Sequence, residues 1–208
     1  MRNKKATKNM EKVISRYVTT PPEFMYDLGI GQRPKFEAKT LKEIWPDMLV
    51  IGCEPHPDIY KNRVKDYPGK LLNCAVWSQT GEVDLYLCRR NPEASGLYDR
   101  SMGYKGKIKV DCLTLTDLDY IAGSPNNILL WMDVEGVELD ILRNSRDLLS
   151  SDRIKYINLE VRTRRLHKLD PKPKEILKEL DDLGFAFKKR YADTGTHHDR
   201  IYVRREDR

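Results

Sequence analysis

The chain has 208 residues, 39% hydrophobic and 34% charged, with 38 Lys+Arg against 32 Asp+Glu for a net charge of +6. That length and balance describe one globular core and exclude collagen, coiled coil and disorder. The longest apolar run, residues 128–132, is far short of the roughly 18–20 that cross a bilayer, and the basic segment 1–20 is followed by no apolar stretch of the secretory kind, so no membrane segment and a cytoplasmic location are expected.

In chain order, hydrophobic period predicts a basic helix over 9–18, stopped by Pro21 and Pro22, then a short strand over 23–28. Beyond Gly29 and Gly31 come a helix over 34–45, a strand over 48–53, a helix over 57–65, and strands over 71–77 and 83–88. Residues 89–106, with Pro92, Gly96, Gly103 and Gly106, read as a mobile or substrate-facing loop. A strand over 108–115 and a short helix over 117–122 precede the most apolar strand, 128–133, which belongs at the centre of a covered sheet. A helix over 137–150, a strand over 154–160 and a helix over 172–183 closed by Gly184 follow. The last two strands, 185–191 and 200–204, form a hairpin around Thr194-Gly195-Thr196. Cys53, Cys74, Cys88 and Cys112 are widely spaced in apolar runs, as buried reduced thiols would be rather than zinc ligands.

Strands alternating with crossover helices specify an α/β fold: a Rossmann-like, doubly wound, mainly parallel sheet with an antiparallel C-terminal strand. The expected organisation is a single domain over 1–208, with residues 1–20 a basic helix laid over the core. Ligands of such sheets bind beyond the carboxyl ends of the strands. At the end of the first strand, Gly29 and Gly31 let the backbone approach a ligand closely, and Glu54 at the end of the second can accept hydrogen bonds from ribose hydroxyls. Together they favour an adenosine-containing cofactor. Without a P-loop or a three-glycine fingerprint, S-adenosylmethionine is preferred to ATP and NAD.

Asp133 and Glu160 close two neighbouring strands and are candidates to orient an acceptor or take its proton. Glu135 either caps the following helix or serves the site. Asp133, Glu135 and Glu160 could also gather a hard divalent cation, or be met by Arg162; no metal is assigned. His197 and His198, in the turn of the closing hairpin, are candidate general bases, whereas His56 caps or flanks a helix.

The ordered series Asp27-Leu28-Gly29-Ile30-Gly31, Gly52-Cys53-Glu54-Pro55-His56-Pro57, Asn73-Cys74-Ala75-Val76, Ser95-Gly96-Leu97, Asp133-Val134-Glu135-Gly136 with Glu138, and Ile157-Asn158-Leu159-Glu160-Val161 resembles the FkbM-type S-adenosylmethionine-dependent methyltransferases. The resemblance runs from about residue 26 to about residue 162 and implies the class I methyltransferase fold. It implies that Asp27, Gly29 and Gly31 line the methionine end of the cofactor, that Glu54 holds the ribose, and that Ala75 and Val76 lie near the adenine. On the substrate side it implies Asp133, Glu135 and Glu160, with Arg162 beside them. The acceptor it implies is a hydroxyl of a sugar or other small metabolite. Where the family usually has a lysine two positions before the aspartate, this chain has Trp131. Two competing readings are an RNA methyltransferase using the basic clusters at 162–165 and 188–190, and a non-catalytic binding module, which Trp131 motivates.

Overall fold

In the computed structural model, which describes residues 4–32, 37–99, 103–163 and 170–206, strands and helices alternate through most of the chain. Helix α1 (Lys4–Tyr17) leads into β1 (Phe24–Leu28), α2 (Glu37–Ile44), β2 (Leu49–Cys53), α3 (Pro57–Arg63), β3 (Lys70–Leu72), β4 (Ala75–Val76) and β5 (Gly81–Cys88). A 3-10 turn (Pro92–Ala94) precedes β6 (Tyr104–Leu113), α4 (Leu115–Ile121), β7 (Ile128–Met132), α5 (Glu138–Asn144), α6 (Arg146–Ser150) and β8 (Ile154–Arg162). The chain then adds α7 (Pro173–Asp182), β9 (Phe185–Tyr191) and β10 (His197–Arg204). Seven strands form one sheet in the order β3-β2-β1-β7-β8-β10-β9, parallel except for β10, and β4-β6-β5 form a second, smaller sheet. This is the expected doubly wound α/β architecture. Among the described residues no helix is long and apolar enough to cross a membrane.

Several boundaries differ from the sequence expectation for local reasons. The strand expected over 71–77 is two strands in two sheets. Asn73 Nδ2 donates to the carbonyls of Glu54 (2.8 Å) and Pro55 (3.3 Å), bending the chain away after Leu72. The helix expected over 137–150 breaks at Ser145, whose φ of −110° and ψ of 26° leave the helical region. β6 starts at Tyr104, inside the segment read as a loop. The closing turn is tighter than expected, held by Gly195 N–H on Asp193 Oδ1 (2.8 Å), so His197 and His198 lie in β10 rather than in the turn.

β7 is buried along its whole length, as a strand covered on both faces must be. Ile128, Leu130 and Met132 pack with residues of α4 to α7, such as Leu118, Leu142, Leu149 and Leu180, and Leu129 and Trp131 pack with Met10, Val13 and Ile14 of α1. Between these layers Asp119 of α4 accepts two hydrogen bonds from Arg153 (2.8 Å each) and one from Tyr26 Oη (2.8 Å), joining α4 and the start of β8 to the middle of β1.

β1 lies between β2 and β7, so the connections diverge on either side of it and leave a crevice at the strand ends, the usual ligand position. Three strand ends are stitched there. Gly29 N–H donates to Cys53 O (2.9 Å) and Asp133 N–H donates to Leu28 O (2.9 Å). Gly29 has a φ of +81°, and a Cβ on it would lie 2.0 Å from the Asp133 carbonyl oxygen. The close approach this glycine serves is therefore to the β7 backbone. Gly52 has a similar role, since a Cβ there would meet Tyr67 Oη at 2.5 Å, and Tyr67 reaches over it to donate to Asp27 Oδ2 (2.7 Å).

Two stability predictions follow from these contacts. Gly29→Ala should cost at least about 3 kcal/mol in urea unfolding, from backbone strain plus the collision with Asp133; a loss under 1 kcal/mol, on the scale of an ordinary surface change, would mean that the strand ends tolerate separation. The second concerns Asp27, whose carboxyl is pushed up to about 8 by burial, opposed by the Tyr67 hydrogen bond. A raised carboxyl contributes stability that is complete below its ordinary range and is lost as pH rises through about 8. Asp27→Asn keeps an acceptor for Tyr67, so between the ordinary carboxylate range and about pH 8 its stability should fall less steeply than that of the parent; parallel profiles would place the titration elsewhere.

Candidate functional site

A cavity of about 260 Å³ opens over the ends of β1, β2, β7 and β8, lined by Gly29 to Gly31, Cys53 to His56, Asp133 to Glu135, Glu160, Arg162 and His197. At one end Glu54 is only 4% exposed. Its Oε2 accepts from Gly31 N–H (3.1 Å) and its Oε1 from His56 N–H (2.9 Å). Burial pushes its carboxyl up to about 7, while these backbone donors pull it down. A carboxylate offers about four acceptor positions, so room remains for a hydroxyl donor. Ala75 and Val76, with Ile59, Leu85 and Leu97, supply an apolar wall.

The segment after β5 forms another wall rather than a detached loop. Glu93 accepts from Gln32 N–H (2.5 Å), and Ser95 Oγ accepts from Cys88 N–H (3.1 Å). Tyr86 N–H donates to Gly96 O (2.9 Å), and Tyr98 Oη donates to Asp140, which also accepts from Trp77 Nε1 (2.8 Å). Gly31, at φ +63°, has Glu93 Oε1 3.0 Å from where its Cβ would be. The second glycine thus accommodates this wall.

At the other end the carboxylate oxygens of Asp133, Glu135 and Glu160 lie within 4.8 Å of one another. Asp133 follows β7 directly, and Glu160 lies inside β8, which continues to Arg162. Arg162 forms an ion pair with Glu135, and His197, opposite Arg162 in the β8–β10 ladder, places Nε2 3.4 Å from Glu160 Oε1. Two of the three acids are therefore met in this way, Glu135 by Arg162 and Glu160 by His197. Burial, then the facing Asp133 and Glu135, push the Glu160 carboxyl up to about 9, so it is protonated at neutral pH. The helix-capping alternative for Glu135 does not hold. Its φ is +57°, α5 begins at Glu138, and Glu138 Oε1 takes the Gly136 N–H (3.1 Å).

Of the residues expected from sequence, Gly29, Gly31, Glu54, Ala75, Val76, Asp133, Glu135, Glu160, Arg162 and His197 all line this cavity. Two do not. Asp27, 3% exposed, accepts from Tyr67 Oη (2.7 Å) beneath the strand ends. His198, one residue on from His197 and so on the opposite face of β10, is 1% exposed and accepts from Arg200 Nε at Nε2 (2.8 Å). Burial, with Arg200 and Arg190, lowers its pKa to about 4, which suits a neutral structural imidazole rather than a base. Sequence reasoning missed Glu37, Glu93 and Asn91 as lining residues; they come from segments with no motif.

The FkbM methyltransferase domain matches residues 30–187. The fold resembles the crystal structure of methyltransferase FkbM from Methylobacillus flagellatus KT, with a TM-score of 0.56 and 17% identity, covering 88% of this chain and 44% of that one. The chain thus spans less than half the length of that protein. Human methyltransferase 10 domain containing protein (TM-score 0.51, 11% identity, 100% of this chain and 84% of that one) shares the fold. So does ribosomal protein L11 methylase from Lactobacillus delbrueckii subsp. bulgaricus (0.50, 11%, 98% and 81%). At such identities the likeness is one of fold, the class I methyltransferase sheet. No curated protein sequence matches the chain. With the domain match extending over more than half of its residues, the chain belongs to the FkbM methyltransferase family.

Proposed function

We propose that the chain is an S-adenosylmethionine-dependent methyltransferase that methylates a hydroxyl oxygen of a sugar or other small metabolite. The observation that carries this reading is one cavity holding both Glu54 beneath a glycine turn and the Asp133, Glu160 and His197 group. The lining suits the cofactor by its chemistry: an acceptor for ribose hydroxyls at Glu54, apolar surface for a purine at Ala75 and Val76, and an excess of carboxylates for a sulfonium cation. When bound, S-adenosylmethionine supplies an electrophilic methyl group.

The chain's own residues align the acceptor and manage its proton. Asp133 orients the hydroxyl and accepts its proton. Glu160, protonated at neutral pH, is a poor base but can donate a hydrogen bond to the acceptor oxygen. Arg162 is neutralised by Glu135, which removes the one arginine among the described lining residues as an anion receptor. Glu37, Glu54, Glu93 and Asp133 line the same space with no arginine or lysine among the described lining residues other than Arg162, a setting that does not favour a polyanion. Lys188, Lys189 and Arg190 lie on β9, the outermost strand, where Arg190 pairs with Asp193, and residues 164 and 165 fall outside the described residues. A small acceptor is therefore favoured over RNA.

The cofactor assignment predicts that Glu54→Gln weakens S-adenosylhomocysteine binding roughly 30-fold in calorimetry, the loss of a charge-assisted acceptor. Because the accepting form is the carboxylate and its pKa is about 7, affinity in the parent should rise about tenfold from pH 6 to pH 8 and stay flat in the variant. Equal affinity in both proteins would sink the assignment. On the acceptor side, Asp133→Asn should keep that affinity within a few-fold and lose roughly 100-fold in turnover. The readout is transfer of a labelled methyl group to panels of sugars, small hydroxyl compounds and RNA; label appearing in RNA alone would promote the nucleic-acid reading.

A further inference from the structure

His56 stands two residues beyond the acid assigned to ribose, and its ring is part of the cavity wall. Three of its four polar groups are committed, the backbone carbonyl among them, which accepts from Tyr60 N–H (2.9 Å). The backbone N–H holds Glu54 Oε1 (2.9 Å), and ring Nδ1 accepts from Asp58 N–H (3.3 Å), capping α3. An imidazole whose Nδ1 accepts is neutral and carries its proton on Nε2. Burial holds the ring below its ordinary pKa, which keeps it in that form at neutral pH. The cap therefore does more than start a helix, because it fixes the tautomer and leaves one oriented N–H donor on a residue that is 6% exposed. Asp58 and Lys105 are the charged groups that act on the ring, and the cavity it borders is also lined by Glu54, an acceptor, and the apolar Ile59, Ala75 and Val76. A purine nucleoside bound there brings ribose oxygens and ring nitrogens that need a donor.

We propose that His56 is a positioning residue for the adenosine half of the cofactor, with Nδ1 locked by the α3 cap and Nε2–H donating to an acceptor atom of that half. The proposal rests on the cofactor reading given above. Glu54 and His56 then act as a matched pair, one accepting from the nucleoside and one donating to it. Their separation is fixed because the backbone of one binds the side chain of the other.

Two substitutions separate the ring's two nitrogens. His56→Asn keeps an oxygen near the Nδ1 position for the cap but does not reach as far as Nε2, whereas His56→Gln carries an amide donor to the Nε2 position and loses the cap. The expected result is that His56→Asn keeps the thermal midpoint of the ligand-free protein and binds both S-adenosylhomocysteine and adenosine about tenfold more weakly. His56→Gln should melt about 2–4 °C lower while keeping affinity within about threefold. In 15N NMR of the parent, the His56 Nε2 resonance should shift when S-adenosylhomocysteine is added, while Nδ1 remains an unprotonated acceptor. Unchanged affinity in His56→Asn, equal losses in both variants, a loss for S-adenosylhomocysteine but not for adenosine, or an unmoved Nε2 resonance would each overturn the proposal. Binding of neither ligand by the parent chain would instead defeat the cofactor reading, and this proposal with it.

Discussion

The Glu54 carboxylate holds the glycine-turn end of the cavity together. A buried carboxylate is unfavourable unless donors surround it, and here the donors come from two segments with no other reason to converge: Gly31 in the turn after β1 and His56 ahead of α3. Their meeting depends in turn on the strand ends lying close. Gly29 permits that by letting the Asp133 carbonyl occupy space a side chain would fill. The turn that a ligand would meet is thus shaped first by protein contacts, to β7 through Gly29 and to the wall after β5 through Gly31 and Glu93. The same geometry serves a ligand because an acceptor with open lone pairs is left facing the cavity.

So many acids in one enclosure cannot all be ionised, and their environments sort them. Glu160 faces Asp133 and Glu135 and is pushed to about 9, Asp27 is held near 8 by burial, and Glu54 sits near 7. Glu135 is paired with Arg162. At neutral pH the cavity therefore carries less charge than its count of carboxyls suggests. A carboxyl held protonated beside other acids, as Glu160 is, can donate a hydrogen bond where an ionised one can only accept.

Elements whose pattern is set by burial were legible in the sequence. The run at β7 declared a strand covered on both faces, and the spacing of Gly29, Glu54 and Asp133 at successive strand ends put most of the cavity in view. What was not legible depended on long-range partners. Nothing local says that Asn73 will bind the Glu54 and Pro55 carbonyls and divert a strand into another sheet. The family resemblance implied Asp27 as a ligand contact, but what its carboxyl meets in the fold is Tyr67, forty positions on, reaching across a glycine. His197 and His198 were indistinguishable as neighbours until the ladder with β8 assigned them to opposite faces. The tightness of the Asp193 to Thr196 turn decides that, and it moves the strand start by only a few residues.

Trp131 illustrates how one substitution redistributes these constraints. It lies in register with Asp27 on one side and Asn158 on the other, so a lysine at this position would project beside the buried Asp27 carboxyl and supply a cation to it. With an indole instead, the ionisable groups facing Asp27 are Glu37, Asp133, Glu54 and Tyr67, none of them a cation, and the carboxyl answers by holding its proton. The indole also needs cover that a lysine tip would not. It packs in the cluster that contains Ile30 of the glycine turn and Met10, Val13 and Ile14 of α1, while its own edge lines the cavity. An apolar residue at the floor of the site thus makes the N-terminal helix part of what shapes that floor, linking α1 to the turn that Glu54 holds.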